Sequence, residues 1–194
     1  MKNLLRLIIP PPAWRVPVIV LCGVLVGLGA IVIRVSNAAS YFSNTPETCM
    51  NCHVMAPQYA TWQHGSHGRN TTCNDCHVPH DNVLHTYAFK ASDGLRHASM
   101  FTLRLEPQVI RIKEAGVNVV QENCKRCHSD LIHFVRLTEM TGASSREGEG
   151  VLCWHCHREV PHGRVNSLAS TPWARVPMPS SITPDWINGI EKDR

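Results

Sequence analysis

The chain has 194 residues, a length that suits one ordinary domain of about 100 to 200 residues. Its three Tyr, four Phe and five Trp residues are too few to build a large aromatic core, whereas cysteine is abundant, with nine residues. The formal net charge of +4 comes from Lys and Arg residues that are spread along the chain. Such a distribution is typical of a solvated surface, so nucleic acid is excluded as the expected partner.

The first predicted element is an apolar segment near the N-terminus. Residues 16–33 read VPVIVLCGVLVGLGAIVI and carry no charge, and they lie between Arg15 and Arg34. A helix needs ~20 apolar residues to cross a bilayer, whereas the core of a cleavable signal has ~7 to 15. We therefore predict a cytoplasmic N-terminus and one transmembrane helix within residues 1–38. Cleavage after the small residues 36–38 is the alternative.

Basic residues predict the orientation of this helix. Lys2, Arg6 and Arg15 precede it, whereas no Lys or Arg occurs between Arg34 and Arg69. By the positive-inside rule, the N-terminus lies in the cytoplasm and the rest of the chain in the bacterial periplasm. The predicted location is thus the inner (cytoplasmic) membrane, crossed once.

Four copies of the pattern Cys-x-x-Cys-His follow. This pattern attaches c-type haem, because the two thiols bond to the porphyrin and the histidine lies beneath the iron. The predicted haem-binding cysteines are Cys49, Cys52, Cys73, Cys76, Cys124, Cys127, Cys153 and Cys156. The predicted cofactors are four covalently bound haem c groups, and we expect the porphyrins to supply most of the buried apolar mass.

Zinc and disulfides are two alternative uses of these cysteines. The first two motifs have the spacing C-x2-C-x20-C-x2-C, which zinc ribbons tolerate, and an exported chain can join its cysteines in disulfides. Neither alternative needs a histidine after each pair, whereas all four pairs carry one. The pattern therefore favours haem.

The spacing of the motifs predicts the domain organisation. Motifs 1 and 2 are 24 positions apart, and motifs 3 and 4 are 29 positions apart, whereas 51 positions separate motifs 2 and 3. We predict a mainly α fold with a single N-terminal transmembrane helix and a small haem-packed multihaem cytochrome c domain over residues 39–166, with little β structure. This domain contains two dihaem units and a helical insertion over residues 84–122. Residues 167–194, which contain many Pro and Ser residues, form a predicted C-terminal tail.

The insertion has a helical pattern of its own. Residues 84–105 repeat apolar side chains at the three-and-four spacing of an amphipathic helix. Lys90, Asp93 and His97 fall on the opposite face, where an ordinary solvated surface explains them equally well. A Glu-Pro pair interrupts the pattern, which resumes over residues 108–122.

Four haems have eight axial positions, and the motif histidines fill at most four of them. These histidines are His53, His77, His128 and His157. Met55 stands two residues after His53, so its thioether competes with that imidazole for one side of an iron, or else it packs against the porphyrin. Met ligation raises the potential of a haem relative to ligation by two histidines. The candidates for the remaining positions are His64, His67, His80, His85, His97, His133, His155 and His162.

Several runs resemble the NapC/NirT family of membrane-anchored tetrahaem quinol dehydrogenases, and within it the NrfH type, the small subunit of cytochrome c nitrite reductase. The runs are CMNCHVM at 49–55, WQHGSH at 62–67, CNDCHVPH at 73–80, KASDGLRH at 90–97, NCKRCH at 123–128 and CWHCHREVPHG at 153–163. The resemblance covers nearly the whole chain up to about residue 165.

This resemblance implies an enzyme that oxidises menaquinol from the membrane quinol pool. Its partner would be the periplasmic pentahaem cytochrome c nitrite reductase catalytic subunit, in a hetero-oligomer that reduces nitrite to ammonium in anaerobic respiration. Met55 rather than His53 would ligate haem 1, and Asp93, as proton acceptor, and Lys90 would line the quinol site.

The resemblance also implies the ligands of the other haems. His77, His128 and His157 would ligate haems 2, 3 and 4, and His67 and His162 would be distal ligands in the second dihaem unit. Haem 2 would then be open to a distal ligand from a partner protein. The alternatives are a general quinol dehydrogenase of the same family that feeds another periplasmic reductase, a terminal reductase or sensor, and a passive electron carrier.

Overall fold

The computed structural model describes residues 10–132, 140–160, 162–163 and 177. These residues are helical or irregular, and no β-strand is found among them. The predicted mainly α fold is therefore confirmed for this part of the chain. A boundary between two compact units falls between Ser43 and Asn44. The predicted tail lies outside the described residues, apart from Pro177.

Helix α1 spans Pro12–Val35 and contains the apolar segment. Proline suits the first turn, because the backbone N–H that it lacks has no partner there, and Arg34 complements the helix dipole in the last turn. None of its residues is buried, and its most apolar window has a mean hydropathy of 2.9. Among the described residues it is the one helix long and apolar enough to cross a membrane.

The second unit consists of short helices joined by turns. Its 3₁₀ turns are Pro46–Asn51, His53–Met55 and Ser129–Leu131. Its α-helices are α2 (Ala56–His64), α3 (Cys73–His77), α4 (Val83–Thr102), α5 (Glu114–Cys127), α6 (Gly142–Arg146) and α7 (Cys153–Cys156). Motifs 2, 3 and 4 thus lie in or at the end of α3, α5 and α7.

Helix α4 is the amphipathic helix that the apolar spacing predicts. The side chain of Asn82 caps its N-terminus by accepting a hydrogen bond of 2.8 Å from the backbone N–H three residues on. At its C-terminus Arg104 has a φ of 53°, and the Leu105 N–H donates to the Met100 carbonyl at 2.8 Å. This is a Schellman ending, in which the left-handed position is usually glycine.

Helix α5 begins six residues later than the pattern over 108–122 indicates and continues through the third motif. Its first backbone bond joins the Val117 N–H to the Lys113 carbonyl at 2.8 Å. The carboxylate of Glu114 stabilises this start through the helix dipole, and it also pairs with Arg146 at 2.7 Å. The spacing of apolar residues does not depend on these electrostatic contacts, so it does not predict where this helix begins.

The polypeptide contributes a small apolar core. Met50, Tyr59 and Trp62 pack together beside the first motif, with Ala56 against them. The other buried hydrophobic side chains among the described residues are Ala60, Val78, Val120 and Leu152.

Candidate haem and quinol site

The first motif differs in backbone from the other three. Cys52 is extended, with φ −110° and ψ 110°, and it separates the 3₁₀ turn that contains Cys49 from the turn His53–Met55. The Met55 N–H donates to the Cys52 carbonyl at 3.0 Å and closes the second turn. The residues after Cys52 therefore leave the motif in a direction that a continuous helix would not allow.

The His53 ring contacts helix α4. It lies edge-on against the Phe101 ring, with 5.7 Å between the centroids, while the half-buried Met55 follows at the start of α2. The two candidate ligands of haem 1 therefore have different surroundings, since one of them is already packed against an aromatic side chain.

The first cysteines of neighbouring motifs lie together. The Cys73 thiol donates a hydrogen bond to the Cys49 sulfur, which lowers the pKa of Cys49 and raises the pKa of Cys73. Cys124 and Cys153 also share a hydrogen bond, and burial, followed by the charges of Cys153 and Cys76, raises the pKa of Cys124. Motifs 1 and 2 thus form one close pair, and motifs 3 and 4 form another.

The His77 and His162 rings lie close to each other. Their centroids are 6.2 Å apart and their planes differ by 30°. The His162 Nδ1–H donates to the Gln58 carbonyl at 2.9 Å, which fixes the ring and leaves Nε2 as an acceptor. Loss of hydration, followed by the effect of His162, lowers the pKa of His77 to about 4. At neutral pH this imidazole is therefore neutral, as a metal ligand must be.

His67 and His128 form a second pair of neighbouring imidazole rings. Their ring centroids are 6.1 Å apart, with planes at 70°. The Ser66 hydroxyl lies 3.2 Å from His67 Nδ1. Gly68 follows in the tight turn that ends at Thr71, where the Thr71 N–H donates to the His67 carbonyl at 3.0 Å.

Both ring pairs fit an iron between two imidazoles. A metal–nitrogen bond of ~2 Å on each side, plus roughly 1 Å from each nitrogen to its ring centroid, gives a separation of about 6 Å. All eight motif cysteines are free of disulfides. In the described ranges, no group of three or more His, Cys, Asp or Glu side chains is placed to hold a metal ion. The buried Trp62 Nε1 has no hydrogen-bond partner there, and a haem propionate is an acceptor that would satisfy it. These residues fit haem better than zinc.

One pairing differs from the expectation. The sequence resemblance groups His162 with the second dihaem unit and leaves haem 2 open to a partner's ligand, but His162 lies beside His77 of motif 2. The reason is that the chain after motif 4 returns to α2, where the Gln58 carbonyl holds His162. His67 lies beside His128 of motif 3, and His157 has no ring partner within the described residues.

Lys90 lies beside the first motif. Its ammonium donates to Asn44 Oδ1 at 3.1 Å, and Asn74 of motif 2 donates to the same oxygen at 2.8 Å. The ammonium is also 5.9 Å from the Tyr87 ring centroid and acts electrostatically on Cys49. Partial burial lowers the pKa of Lys90. A cation on α4 is therefore held at the junction of motifs 1 and 2.

Asp93 lies one turn further along the same face. Its carboxylate is 3.4 Å from His97 Nδ1, and its negative charge partly offsets the lowering of the His77 pKa. Lys90 and Asp93, which the resemblance assigns to the quinol site, thus share a helix face that is directed at the first two motifs.

Two buried amides connect the motifs, and the sequence patterns missed both. Asn123 of α5 donates to the carbonyls of Cys76 and Val78 at 2.9 and 2.8 Å. Gln121, which is 1% exposed, accepts a hydrogen bond from the Cys153 N–H at 3.1 Å. The sequence gives one indication of these contacts, since two polar residues lie within the buried stripe of helix α5. Helix α5 therefore carries motif 3 and holds motifs 2 and 4.

Four haem-attachment motifs on helices and turns, two pairs of neighbouring imidazoles and a helix long and apolar enough to cross a membrane define a membrane-anchored multihaem c-type cytochrome. A family model described as the NapC/NirT cytochrome c family, N-terminal region, matches residues 12–167. The chain belongs to this family, as the sequence motifs predict.

Two similar proteins are NrfH cytochromes. The cytochrome c-type protein NrfH of Wolinella succinogenes is 42% identical over 162 residues, which are 79% of this chain and 89% of that protein. The cytochrome c nitrite reductase subunit NrfH of Nitratidesulfovibrio vulgaris is 34% identical over 143 residues, 74% of this chain and 83% of that subunit.

One solved structure has a similar fold. It is the crystal structure of the cytochrome c nitrite reductase NrfHA complex bound to the HQNO inhibitor. One of its chains superposes with a TM-score of 0.55 at 30% identity, over 83% of this chain and 99% of that chain. The similarity to NrfH thus extends from sequence to fold.

Proposed function

We propose that this protein is a quinol dehydrogenase that oxidises menaquinol at the periplasmic side of the bacterial inner membrane. Four covalently bound haem c groups would receive the electrons. The observation that carries this proposal is the position of Lys90 and Asp93 on the face of α4 that contacts motifs 1 and 2. A cation and a carboxylate beside a haem-attachment site are the groups that quinol oxidation needs.

The chemistry of this face follows from its charges. Oxidation of a quinol releases two electrons and two protons. Asp93 accepts a proton from one quinol hydroxyl and returns it to periplasmic water before it accepts the second, and the Lys90 ammonium stabilises the negative charge that develops on the quinol oxygen. Haem c, when bound, accepts electrons one at a time and passes them on. The protein therefore supplies the proton acceptor, the charge and the position of the substrate.

The geometry of the rings supports a proposal for the residues that would hold the haems. His77 and His162 would hold haem 2, and His67 and His128 would hold haem 3, because the rings of each pair are separated as two imidazoles around one iron would be. His157 would hold haem 4.

Met55 would hold haem 1, and the contact of the His53 ring with the Phe101 ring supports this choice. A Met ligand gives haem 1 a higher potential than ligation by two histidines would give.

The proposed electron acceptor is the periplasmic pentahaem catalytic subunit of cytochrome c nitrite reductase, in a hetero-oligomer with this chain. The name of the Nitratidesulfovibrio relative and the NrfHA title of the similar structure support this partner. The four haems would thus form a path from the quinol site to a periplasmic reductase.

The first test is the reduction of the purified holoprotein in detergent by a menaquinol analogue. We expect four haems by pyridine haemochrome and rapid quinol-dependent reduction. Asp93→Ala should lose this reduction while keeping four haems, whereas Asp81→Ala, which removes an exposed carboxylate before α4, should keep it. Four haems that only dithionite reduces would instead indicate a passive electron carrier.

The acceptor is tested separately. Addition of the pentahaem catalytic subunit and nitrite should restore oxidised haem spectra and form ammonium. Rapid reduction by quinol without electron transfer to this subunit would favour a general quinol dehydrogenase that serves another periplasmic reductase.

A further inference from the structure

Helix α4 has two opposite faces of different chemistry. At 3.6 residues per turn, Lys90, Asp93 and Phe101 lie within ~80° of one another, on the face that contacts the motifs. A second face carries apolar and small side chains within ~60° of one another. Its residues are Leu84, Ala91, Leu95, Ala98 and Thr102. The centres of the two faces are about 130° apart around the helix.

The polarity of α4 is the reverse of that of an ordinary surface helix. Its charged face is directed at the haem motifs, and its apolar face is directed outward, with Leu84 85% and Leu95 70% exposed. No residue of α4 is buried. A soluble domain normally buries such a stripe, so an outward stripe indicates a surface that contacts something apolar.

The segment that follows the helix also has exposed apolar side chains. Leu103, Leu105, Val109 and Ile112 are each more than two fifths exposed. The segment over residues 103–113 carries the basic residues Arg104, Arg111 and Lys113, and Glu106 is its one acidic residue. An apolar stripe accompanied by excess positive charge complements the surface of a bilayer that contains anionic phospholipids.

We propose that the outward face of α4 lies in the headgroup region of the membrane as an interfacial amphipathic helix. The anchor α1 keeps the protein beside the bilayer, so lipid is always available to this face. Helix α4 is 20 residues, or about 30 Å, long, and it would lie along the surface rather than cross it. In combination with the proposed quinol oxidation, this position places Lys90 and Asp93 at the depth from which a lipid-soluble quinol arrives.

The test measures the protection of single cysteines in the full-length holoprotein. Cys22→Ala removes the one cysteine outside the haem motifs, and Leu95→Cys or Ala98→Cys then introduces a thiol on the proposed face. Leu131→Cys is the matched control, because Leu131 is 74% exposed but lies outside α4. Each variant is placed as one copy per nanodisc of phosphatidylethanolamine and phosphatidylglycerol, and its reaction with a charged maleimide is compared with its reaction in SDS.

Relative to the Leu131→Cys control, we expect both thiols on α4 to react about tenfold more slowly in nanodiscs, because the charged reagent does not enter the headgroup region. Equal rates at all three positions would overturn the proposal. Protection that appears only with two copies per nanodisc, or only after addition of the nitrite reductase catalytic subunit, would also overturn it and assign the face to a protein neighbour.

A second variant separates this inference from the proposed function. Leu84→Glu combined with Leu95→Glu should slow haem reduction by long-chain menaquinol in nanodiscs about tenfold, because two charges oppose insertion, and leave reduction by dithionite unchanged. Protection of the α4 thiols in a protein that no quinol reduces would support the membrane-facing helix and reject the quinol dehydrogenase. Quinol oxidation by a protein whose α4 thiols are not protected would support the quinol dehydrogenase and reject the membrane-facing helix.

Discussion

Asn123 joins helix α5 to the second haem motif through the carbonyl of Cys76, at 2.9 Å from its amide nitrogen. The same amide donates to the Val78 carbonyl, and the Asn123 side chain is 5% exposed. Neither carbonyl lies in a regular helix bond, so this one side chain satisfies two acceptors that water reaches poorly. The Arg126 guanidinium of the same helix donates to the Asp75 carbonyl of motif 2 at 3.2 Å, so the spacing of motifs 2 and 3 is set by this amide together with that guanidinium.

Asn123→Ala should lower the free energy of unfolding of the holoprotein by about 2 to 4 kcal/mol, because two carbonyls lose their donor in a largely buried site. Thermal unfolding followed by circular dichroism measures the effect. Asn118→Ala on the same helix removes the acceptor of one partly buried hydrogen bond, from the Gly142 N–H, and should cost about 1 kcal/mol, less than the loss of the two hydrogen bonds that Asn123 donates. Equal losses in the two variants would contradict the proposed role of Asn123.

Gly68→Ala should disrupt the ligation of haem 3. A Cβ at this position would lie 2.5 Å from the Trp62 carbonyl oxygen and 2.8 Å from that of Gln63, and backbone atoms cannot yield as a flexible side chain does. The turn that carries His67 must therefore move. Electron paramagnetic resonance should show the loss of one low-spin haem signal. Gly94→Ala, where a Cβ meets nothing within 4 Å, should leave all signals in place.

His162→Met should raise the midpoint potential of one haem, because a thioether would replace an imidazole opposite His77. Spectroelectrochemical titration of the holoprotein measures all four potentials. His80→Met is the control, since His80 is exposed and its Nε2 bonds only the Asn74 carbonyl among the described contacts. If His162→Met leaves every potential unchanged, His162 is not an axial ligand.

Arg104→Gly should stabilise the protein by about 1 kcal/mol. Arg104 occupies the left-handed position after α4, where a side chain costs about 1 to 2 kcal/mol and glycine costs little. The melting temperature of the holoprotein should rise. Arg96→Gly within α4 should lower it, because glycine weakens the interior of a helix by about 1 kcal/mol. A lower melting temperature in both variants would show that the Arg104 side chain has a stabilising contact.

Structural features that depend on a short contiguous segment could be predicted from the sequence. The haem motifs are contiguous patterns, the anchor is a continuous apolar run, and the repeat over 84–105 sets the periodicity of α4. The start of α5 at Glu114 was not predictable from spacing, because it depends on an electrostatic end effect and on a pair with Arg146.

Contacts between distant segments were not predictable either. His162 meets His77 across 85 positions because the carbonyl of Gln58 holds it there, and no local pattern encodes this return. The amides of Gln121 and Asn123 resemble ordinary polar positions of a helix until their partners in motifs 4 and 2 are known.

The arrangement around α5 also divides the protein mechanically. Motif 3 is part of this helix, and motifs 2 and 4 are fixed to it by buried amides, so three attachment sites form one rigid frame. Motif 1 contributes no bond to that frame through α5 among the described contacts. Motif 1 meets this frame at motif 2, through the hydrogen bond between Cys49 and Cys73, so an adjustment of the first motif to an incoming substrate would pass to motif 2 first and through α5 to motifs 3 and 4.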